Sequence, residues 1–171
     1  MAIEAPAFRG LIHPDDSVFY PPGGMAARVA RHTQGEPGTR AEESAGALFR
    51  RVYESLAMQY RWALSSIETL LDRRFSAISL VGGGSRDEVL CQFTADATGL
   101  PVMAGPKDAS AVGNVLVQML AREDIKDVAQ GREIVRRSFP LSEYLPRDTA
   151  RWEEPYARFL RWAHPEDKTG A

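Results

Sequence analysis

The sequence predicts an α/β fold that is rich in helix and contains a short parallel sheet. Two apolar, β-prone segments, residues 75–81 and 100–104, are each followed by glycine, and a segment with helical spacing separates them. Because a helical crossover joins parallel strands, this order predicts a parallel pair. A length of 171 residues, with 44% hydrophobic and 26% charged residues, predicts a single domain.

The bulk composition argues against several classes of partner. A formal net charge of −2 and a pI near 5.9 provide no attraction to nucleic acid or to an anionic membrane. No segment approaches the roughly 18 consecutive apolar residues of a membrane span. The single cysteine, Cys91, excludes an internal disulfide. Its apolar helical surroundings predict a buried structural thiol, and a reducing, cytoplasmic location fits it.

The first part of the chain is predicted to be irregular. Residues 6–24 contain four prolines and the pair Gly23-Gly24, so we interpret them as an extended arm that covers the core. A short helix is predicted at residues 25–32, and a loop at residues 34–38, rich in glycine and proline, ends it.

A long helix is predicted next. Thr39 and Glu42 form a T-x-x-E capping box, which marks a helix start. Apolar residues then recur at steps of three and four through about nine turns, so one face must be buried. These positions are Leu48, Phe49, Val52, Leu56, Tyr60, Ala63, Leu64, Ile67, Leu70 and Leu71.

The two predicted strands follow this helix. Residues 75–81 have the composition of a short buried strand, helical spacing resumes at 87–97, and residues 100–104 form the second strand. Two strands are too few for a free-standing parallel sheet. We therefore expect further strands in sequence that precedes Met1, so that residues 1–5 mark a cut inside a larger fold.

The remaining segments are predicted to be helical. Residues 109–121 are apolar on nearly every side, so we expect a buried helix behind the strands. Amphipathic helices should follow at about 125–137 and 148–162, and residues 164–171 should fray. One face of the last helix carries Trp152, Tyr156, Phe159 and Leu160, which predicts core or a docking surface.

Three glycines, Gly82, Gly83 and Gly84, directly follow the first strand. Without a Cβ, such a backbone adopts positive φ and lets a flat ligand ring approach closely. N–H groups at the start of the next helix suit a phosphate or the polar edge of a base. Tight packing alone explains the same pattern equally well, so a purely structural role stays open.

Two common nucleotide motifs do not fit this turn. A Rossmann loop requires glycine where Asp87 stands, and an acidic residue after the second strand. A Walker loop requires Gly-Lys-Ser or Gly-Lys-Thr, which the turn lacks.

A longer stretch, residues 80–102, is similar to the adenosine motif and following helix of FGGY-family carbohydrate kinases. Gln92, Ala95-Asp96 and Gly99 fall in register with that motif. Residues 104–114 resemble a segment of the rhamnulokinase branch of this family, with a Gly-Pro turn, an acidic residue and a Gly-Asn pair. Residues 6–19 and 54–57 also resemble that branch, so the resemblance covers about residues 5–160.

The resemblance implies the C-terminal part of a ribonuclease-H-like fold, that of actin-like ATPases. The chain would hold the last strands and helices of that fold as one C-terminal domain, residues 1–171. Within it, residues 1–38 would be an irregular arm and insertion, residues 39–140 a nucleotide-binding core, and residues 141–171 a C-terminal helix and tail.

The resemblance also implies cofactors and site residues. ATP and Mg²⁺ would serve transfer of the γ-phosphoryl group to the 1-hydroxyl of L-rhamnulose. Gly82, Gly83, Gly84 and Ser85 would hold the adenosine, with Gly83 the most direct contact, and Asp87 would lie near the adenine edge. Asparagine is the residue we expect at position 87. A carboxylate only accepts hydrogen bonds, which puts the strength of adenine binding in question.

The catalytic half implied by the resemblance is not in this sequence, which contains no Asp-x-Gly-Thr phosphate loop. We therefore assign no catalytic residue and expect the chain alone to be inactive. The expected partners are ATP or ADP, together with the N-terminal kinase domain or a second copy bound through the flank that missing strands expose. The alternative is a non-enzymatic nucleotide-binding or interaction module.

The other polar residues favour structural roles. His13, His32 and His164 lack metal-ligand spacing and are predicted at the surface, so no metal is assigned. Asp15-Asp16 and Asp108 are expected at turns and helix starts, with a functional role left open for Asp108. The pairs Arg73-Arg74 and Arg136-Arg137 are expected at solvated helix ends.

Overall fold

The computed structural model describes residues 1–33 and 44–167. Its α-helices are α1 Met25–Arg31, α2 Ala45–Leu71, α3 Glu88–Thr98, α4 Ala109–Ala121, α5 Val128–Ser138 and α6 Glu153–Ala163. Its strands are β1 Ile78–Leu80, β2 Val102–Ala104 and β3 Ser142–Tyr144. Short 3₁₀ helices lie at Ser17–Phe19, Gly82–Arg86, Ala150–Trp152 and Pro165–Asp167.

The predicted parallel pair is confirmed, but the sheet is mixed. β1 and β2 are parallel, with Ile78 opposite Val102 and Leu80 opposite Ala104. β3 adds to the other side of β2 in antiparallel orientation. The prediction of a parallel sheet missed β3 because its sequence, Ser-Glu-Tyr, has no apolar run and depends on pairing with β2.

The burial predicted for β1 and α4 is wrong within the described chain. β1 is an edge strand whose Ser79 is exposed. α4 has the predicted bounds, yet none of its residues is buried, and Val117 is 66% exposed. Apolar residues on nearly every side are typical of a helix that neighbouring protein covers, and the described residues do not cover α4.

One core lies between α3 and the sheet. Cys91 and Ala95 of α3 pack against Val102 and Ala104 of β2, and all four side chains are buried. A second core joins α2, α3 and α6 with the N-terminal arm, residues 1–24. It comprises Leu11, Ala57, Met58, Ala97, Trp152 and Phe159.

The long helix and the last helix have the predicted positions with shifted starts. α2 has 27 residues, fewer than nine turns, and the Ser44 hydroxyl caps it by accepting from the Ala47 N–H at 3.3 Å. The capping box of Thr39 and Glu42, like the loop at 34–38, lies outside the described residues. α6 begins at Glu153, after a 3₁₀ turn that carries Trp152.

His13 and His164 lie in a loop and at a helix end, as predicted, but they are less exposed than surface residues usually are. Both are half-buried, and their ring centroids are 5.1 Å apart. His164 also stacks on Trp62 at 3.8 Å, so the chain does not fray at this residue. His32 is exposed, as predicted. In the described ranges, no helix combines the length and apolarity that crossing a membrane requires.

The N-terminal arm is irregular, as predicted, and polar contacts hold it on α2. The buried Glu54 carboxylate accepts from the Phe8 N–H at 2.9 Å and from Arg50 Nε at 2.7 Å. Arg50 Nη1 donates to the carbonyls of Ile3 and Ala5 at 2.7 and 2.9 Å. Burial raises the pKa of Glu54, although both hydrogen bonds oppose that shift.

Replacing Arg50 with methionine should destabilise the fold by about 3–5 kcal/mol, because it leaves a buried carboxylate without its cation. Urea denaturation followed by circular dichroism measures this loss. Arg122→Met is the matched control, since its ion pair with Asp124 is exposed on both sides. That control should cost less than about 1 kcal/mol. Equal losses in the two variants would refute a special role for Arg50.

Candidate functional site

The three glycines occupy a 3₁₀ turn directly after β1, at the carboxyl end of the strand. The turn spans Gly82–Arg86, and Gly82 has a φ of +73°, which a residue with a side chain rarely adopts. The Ser85 hydroxyl donates to the Gly82 carbonyl at 2.7 Å. The predicted residues Gly82, Gly83, Gly84 and Ser85 are therefore brought together in one compact turn.

Neither packing nor backbone conformation requires glycine at position 83. A Cβ at Gly84 would lie 3.2 Å from the Leu80 side chain, so packing constrains that position. A Cβ at Gly83 would meet no atom within 4 Å, and the φ of Gly83 is not positive. Gly83 is also exposed, so its backbone is open to an approaching ligand.

Asp87 forms the N-cap of α3. Its Oδ1 accepts from the N–H groups of Val89 and Leu90 at 3.1 and 3.0 Å. Its Oδ2 accepts from the hydroxyl of Tyr53, which projects from α2. Both oxygens are thus engaged inside the chain, and the carboxylate fixes the start of α3 relative to α2.

Sequence reasoning missed Tyr53, which lies 34 residues from Asp87 on another helix. The hydrogen bond to Asp87 is the main cause that raises the Tyr53 pKa from 10.0 to about 12, and burial and the carboxylate charge add to it. No local spacing signals this contact, because it depends on how α2 and α3 pack.

The single thiol, that of Cys91, contacts the glycine turn from the core. Cys91 is buried, as predicted, and its Sγ lies 3.8 Å from the Gly84 carbonyl. Burial is the first cause that raises the pKa of the Cys91 thiol, and the charges of Asp87 and Glu88 add to it. These surroundings favour the neutral thiol and a structural role.

A second turn lies beside the first, after β2. Gly105 has a φ of +114°, and its N–H donates to the Leu80 carbonyl at 2.9 Å. The Gly82 N–H donates to the Pro106 carbonyl at 3.2 Å. The two turns are therefore tied together at the carboxyl edge of the parallel pair, the edge at which open α/β sheets bind ligands.

Two cavities border these turns. A groove of about 230 Å³ is lined by Ser85, Arg86, Ala104, Gly105, Pro106, Lys107, Phe139, Pro140 and Ser142; we call it the cationic groove. A larger cleft of about 620 Å³ lies between the outer side of β1 and α5, with Ser79, Val81, Arg132 and Arg136 among its lining residues. The glycine turn reaches the cationic groove through Ser85.

The acidic residues weighed above have structural positions. Asp16 caps a 3₁₀ helix by accepting from the Val18 N–H at 2.9 Å, as a turn role predicts. Asp15 accepts from the Gln59 amide at 2.6 Å. Asp108 stands at the N-cap position of α4, but its side chain makes no capping hydrogen bond. Across residues 1–33 and 44–167, no three His, Cys, Asp or Glu side chains are grouped to hold a metal ion.

The arginine pairs lie at the surface. Arg73 and Arg74 follow the end of α2, and Arg74 Nη1 lies 2.7 Å from a Glu68 carboxylate oxygen. Arg136 and Arg137 lie in the last turn of α5, where both contact Glu133. The exposed helix-end positions predicted for both pairs are confirmed.

Comparison with known proteins identifies the group to which this chain is similar. The sequence model of the FGGY family of carbohydrate kinases, C-terminal domain, matches residues 1–122. A rhamnulokinase from Bacteroides thetaiotaomicron is 41% identical over 154 residues, 89% of this chain and 31% of that protein. A rhamnulokinase from Bacillus subtilis is 35% identical over 144 residues, 84% of this chain and 30% of that protein.

A rhamnulokinase from Yersinia pestis is 36% identical over 162 residues, 92% of this chain and 32% of the relative. The chain thus spans about a third of the length of these relatives. The matched region contains β1, the glycine turn, Asp87 and α3. The family match covers most of the chain, and the chain belongs to the FGGY family of carbohydrate kinases, as part of its C-terminal domain.

Proposed function

We propose that this chain is the ATP-binding C-terminal portion of a rhamnulokinase-like sugar kinase. In the complete enzyme, the reaction would be ATP-dependent phosphorylation of L-rhamnulose to L-rhamnulose 1-phosphate. The name shared by the similar proteins of three organisms supports the substrate. The observation that carries the proposal on this chain is the exposed, unobstructed Gly83 backbone in a turn at the carboxyl edge of parallel strands.

The proposed adenosine contacts are Gly82, Gly83, Gly84, Ser85 and Asp87. Gly83 would lie directly against the flat adenosine, because no protein atom occupies the space where its side chain would be. Asp87 would accept from the adenine amino group, using the lone pairs left free by Tyr53 and the backbone. This arrangement orients the nucleotide and does not by itself move a phosphoryl group.

We propose that the chain contributes the last strands and helices of a ribonuclease-H-like domain. The exposed edge strand β1 and the uncovered helix α4 support this, since parallel sheets are normally covered on both faces. Residues 1–38 would then be an arm and insertion, residues 39–140 the nucleotide-binding core, and residues 141–171 the C-terminal helix and tail.

The phosphate loops, Mg²⁺ and the catalytic base would belong to the part of the enzyme that the relatives have in addition. Mg²⁺ would neutralise the phosphates there, and a carboxylate would take the proton of the attacking hydroxyl. The absence of an Asp-x-Gly-Thr loop from these 171 residues supports this assignment. The chain alone would bind ATP or ADP in a reducing, cytoplasmic setting without turnover, and no nucleic acid or membrane would be a partner.

The second candidate function is a non-enzymatic nucleotide-binding or interaction module derived from a sugar kinase. The exposed apolar residues Val115, Val117 and Leu120 favour it, because they lie together on α4 and apolar surface of this kind marks protein contacts. We call these residues the exposed flank. Under the first proposal, the flank contacts the rest of the kinase or a second copy of this chain.

Gly83→Val should abolish nucleotide binding without unfolding the chain. The valine side chain meets open space in the folded chain, yet it would occupy the volume that adenosine needs. Calorimetric titration with ATP and ADP measures the binding, and thermal unfolding checks the fold. In the wild type, added Mg²⁺ and L-rhamnulose should release no ADP.

Gly113→Val is the control for this experiment, since a Cβ at Gly113 of α4 also meets nothing within 4 Å. It should leave nucleotide affinity unchanged. Equal binding by the wild type and Gly83→Val would eliminate the glycine turn as the adenosine site. A wild type that binds neither nucleotide would contradict an adenosine site formed by this chain alone.

Asp87→Asn should strengthen adenosine binding by roughly three- to tenfold, about the worth of one hydrogen bond, because an amide both donates and accepts. Asparagine caps helices as well as aspartate does, so α3 should keep its start. Loss of the carboxylate charge should also lower the Tyr53 pKa from about 12 towards 10.0. Calorimetry measures the affinity, and absorbance titration of tyrosinate measures the pKa.

The same contact sets a pH dependence of stability. Tyr53 binds its proton more tightly in the folded than in the unfolded chain, so the stability from this contact is present below pH 10.0 and lost as pH rises towards about 12. Tyr53→Phe identifies the transition that belongs to this residue. An unchanged transition in Asp87→Asn would contradict the assigned hydrogen bond.

The isolated chain should self-associate through the exposed flank, because unpaired strand edges and apolar surface favour further pairing. Light scattering over a range of concentrations measures the mass. Val117→Lys should shift the mass towards the monomer, whereas Gln118→Lys adds the same charge on α4 without removing apolar surface. A wild type that stays monomeric at every concentration would rule this out.

A further inference from the structure

The hydroxyl of Tyr53 reaches from α2 to the residue that ends the glycine turn. It donates a hydrogen bond to Asp87 Oδ2. Phe49, one turn earlier on α2, stacks on the Tyr53 ring with the ring centroids 6.4 Å apart and the planes at 26°. Because two stacked rings on one helix face restrict each other's rotamers, the Tyr53 hydroxyl is held in one place.

The backbone fixes Asp87 at its other oxygen. Oδ1 accepts from the N–H groups of Val89 and Leu90 at 3.1 and 3.0 Å, and the Asp87 N–H donates to the Gly84 carbonyl at 3.1 Å. These contacts hold the main chain and Oδ1, but a rotation of the carboxylate about Oδ1 would still move Oδ2. The hydrogen bond from Tyr53 opposes that rotation, so α2 and α3 together set the plane of the carboxylate.

These hydrogen bonds leave the carboxylate of Asp87 little free capacity to accept. An ionised carboxylate has roughly four lone-pair positions and no donor. Within residues 1–33 and 44–167, two backbone N–H groups use positions on Oδ1, and the Tyr53 hydroxyl uses one on Oδ2. About one position remains, on Oδ2, and its direction is set by the Tyr53 hydroxyl. Asp87 is half-buried, so a ligand on the glycine turn can reach this position.

One oriented acceptor distinguishes between purine bases. The amino group at position 6 of adenine can donate to it. The oxygen at position 6 of hypoxanthine or guanine only accepts, so it would face the carboxylate without a proton between them, and both acceptors would stay unpaired. A carboxylate that is free to turn away would avoid this contact and lose the distinction.

We propose that Tyr53 is a positioning residue for base recognition: by holding Asp87 as one oriented acceptor, it makes the chain prefer 6-aminopurine nucleotides to 6-oxopurine nucleotides. This inference rests on the proposed function and deepens it. Tyr53 acts through Asp87 and not by a contact of its own with the base. The preference therefore depends on a pair of residues on two helices, 34 residues apart in sequence.

Calorimetric titration of the full chain with ATP and with inosine triphosphate tests this proposal, because the two ligands share ribose and phosphates and differ at position 6 of the purine. The wild type should bind ATP about 10- to 100-fold more tightly, the penalty expected for unpaired acceptors. Tyr53→Phe should lower this ratio by about three- to tenfold through weaker ATP binding, the worth of one oriented hydrogen bond. A general defect of the fold would weaken both ligands equally and leave the ratio unchanged.

Tyr60→Phe is the matched control, because it removes the same hydroxyl from α2 at a residue that makes no hydrogen bond to Asp87. It should change neither affinity. In a double-mutant cycle, Tyr53→Phe and Asp87→Asn should change the ratio non-additively, since the first acts through the second.

Additive effects in this cycle, or an unchanged ratio in Tyr53→Phe, would overturn the positioning role of Tyr53. Equal affinity of the wild type for the two triphosphates would overturn the base preference while leaving the glycine turn as a nucleotide site. Binding of neither triphosphate would overturn both this inference and the proposed nucleotide binding by the chain.

Discussion

The packing of α3 between the sheet and α2 is the constraint on which the rest of the structure depends. One side of α3 buries Cys91 and Ala95 against β2, and Ala97 belongs to the core shared with α2 and α6. Hydrogen bonds also fix the start of α3, since Asp87 caps the helix and accepts from the Tyr53 hydroxyl of α2. Because the glycine turn directly precedes this cap, its position follows from the same packing.

Buried side chains are unevenly distributed around α3. The side of α2 that faces the arm contains buried charges with partners, such as Glu54 and Arg50. α4, by contrast, leaves apolar side chains in solvent although its sequence is typical of an interior helix. β1 exposes Ser79, while its Ile78 and Leu80 are partly buried against the core. The two sides of the fold therefore differ in how far their apolar side chains are covered.

Periodicity and turn residues predicted the helices and the parallel pair, because these signals are local. The face that carries Trp152 and Phe159 is an example, since helical spacing alone indicates its burial. β3 and Tyr53 were not predicted, because the first has no apolar pattern and the second acts across 34 residues of sequence. The prediction that α4 is buried was wrong for a different reason: apolar residues on nearly every side predict burial but do not identify what covers the helix, and no residue of α4 is buried in the structure.

At the candidate site, too, local features were predicted and features that depend on packing were not. The run of three glycines predicted the turn, and the structure separates their reasons: backbone conformation at Gly82, packing at Gly84, and open space at Gly83. The groove that joins Arg86 to Lys107 depends on the pairing of two strands 20 or more residues apart, which no single motif encodes.

The single thiol makes the opening of the interface between α3 and the sheet measurable. Cys91 is the single cysteine of the sequence, and its side chain is wholly buried where α3 meets the sheet. An alkylating reagent therefore reaches it only when that interface separates, so the rate of labelling measures how often the centre of the fold opens. Since the glycine turn lies on this same interface, a ligand bound there slows the labelling in proportion to the time it keeps the interface closed.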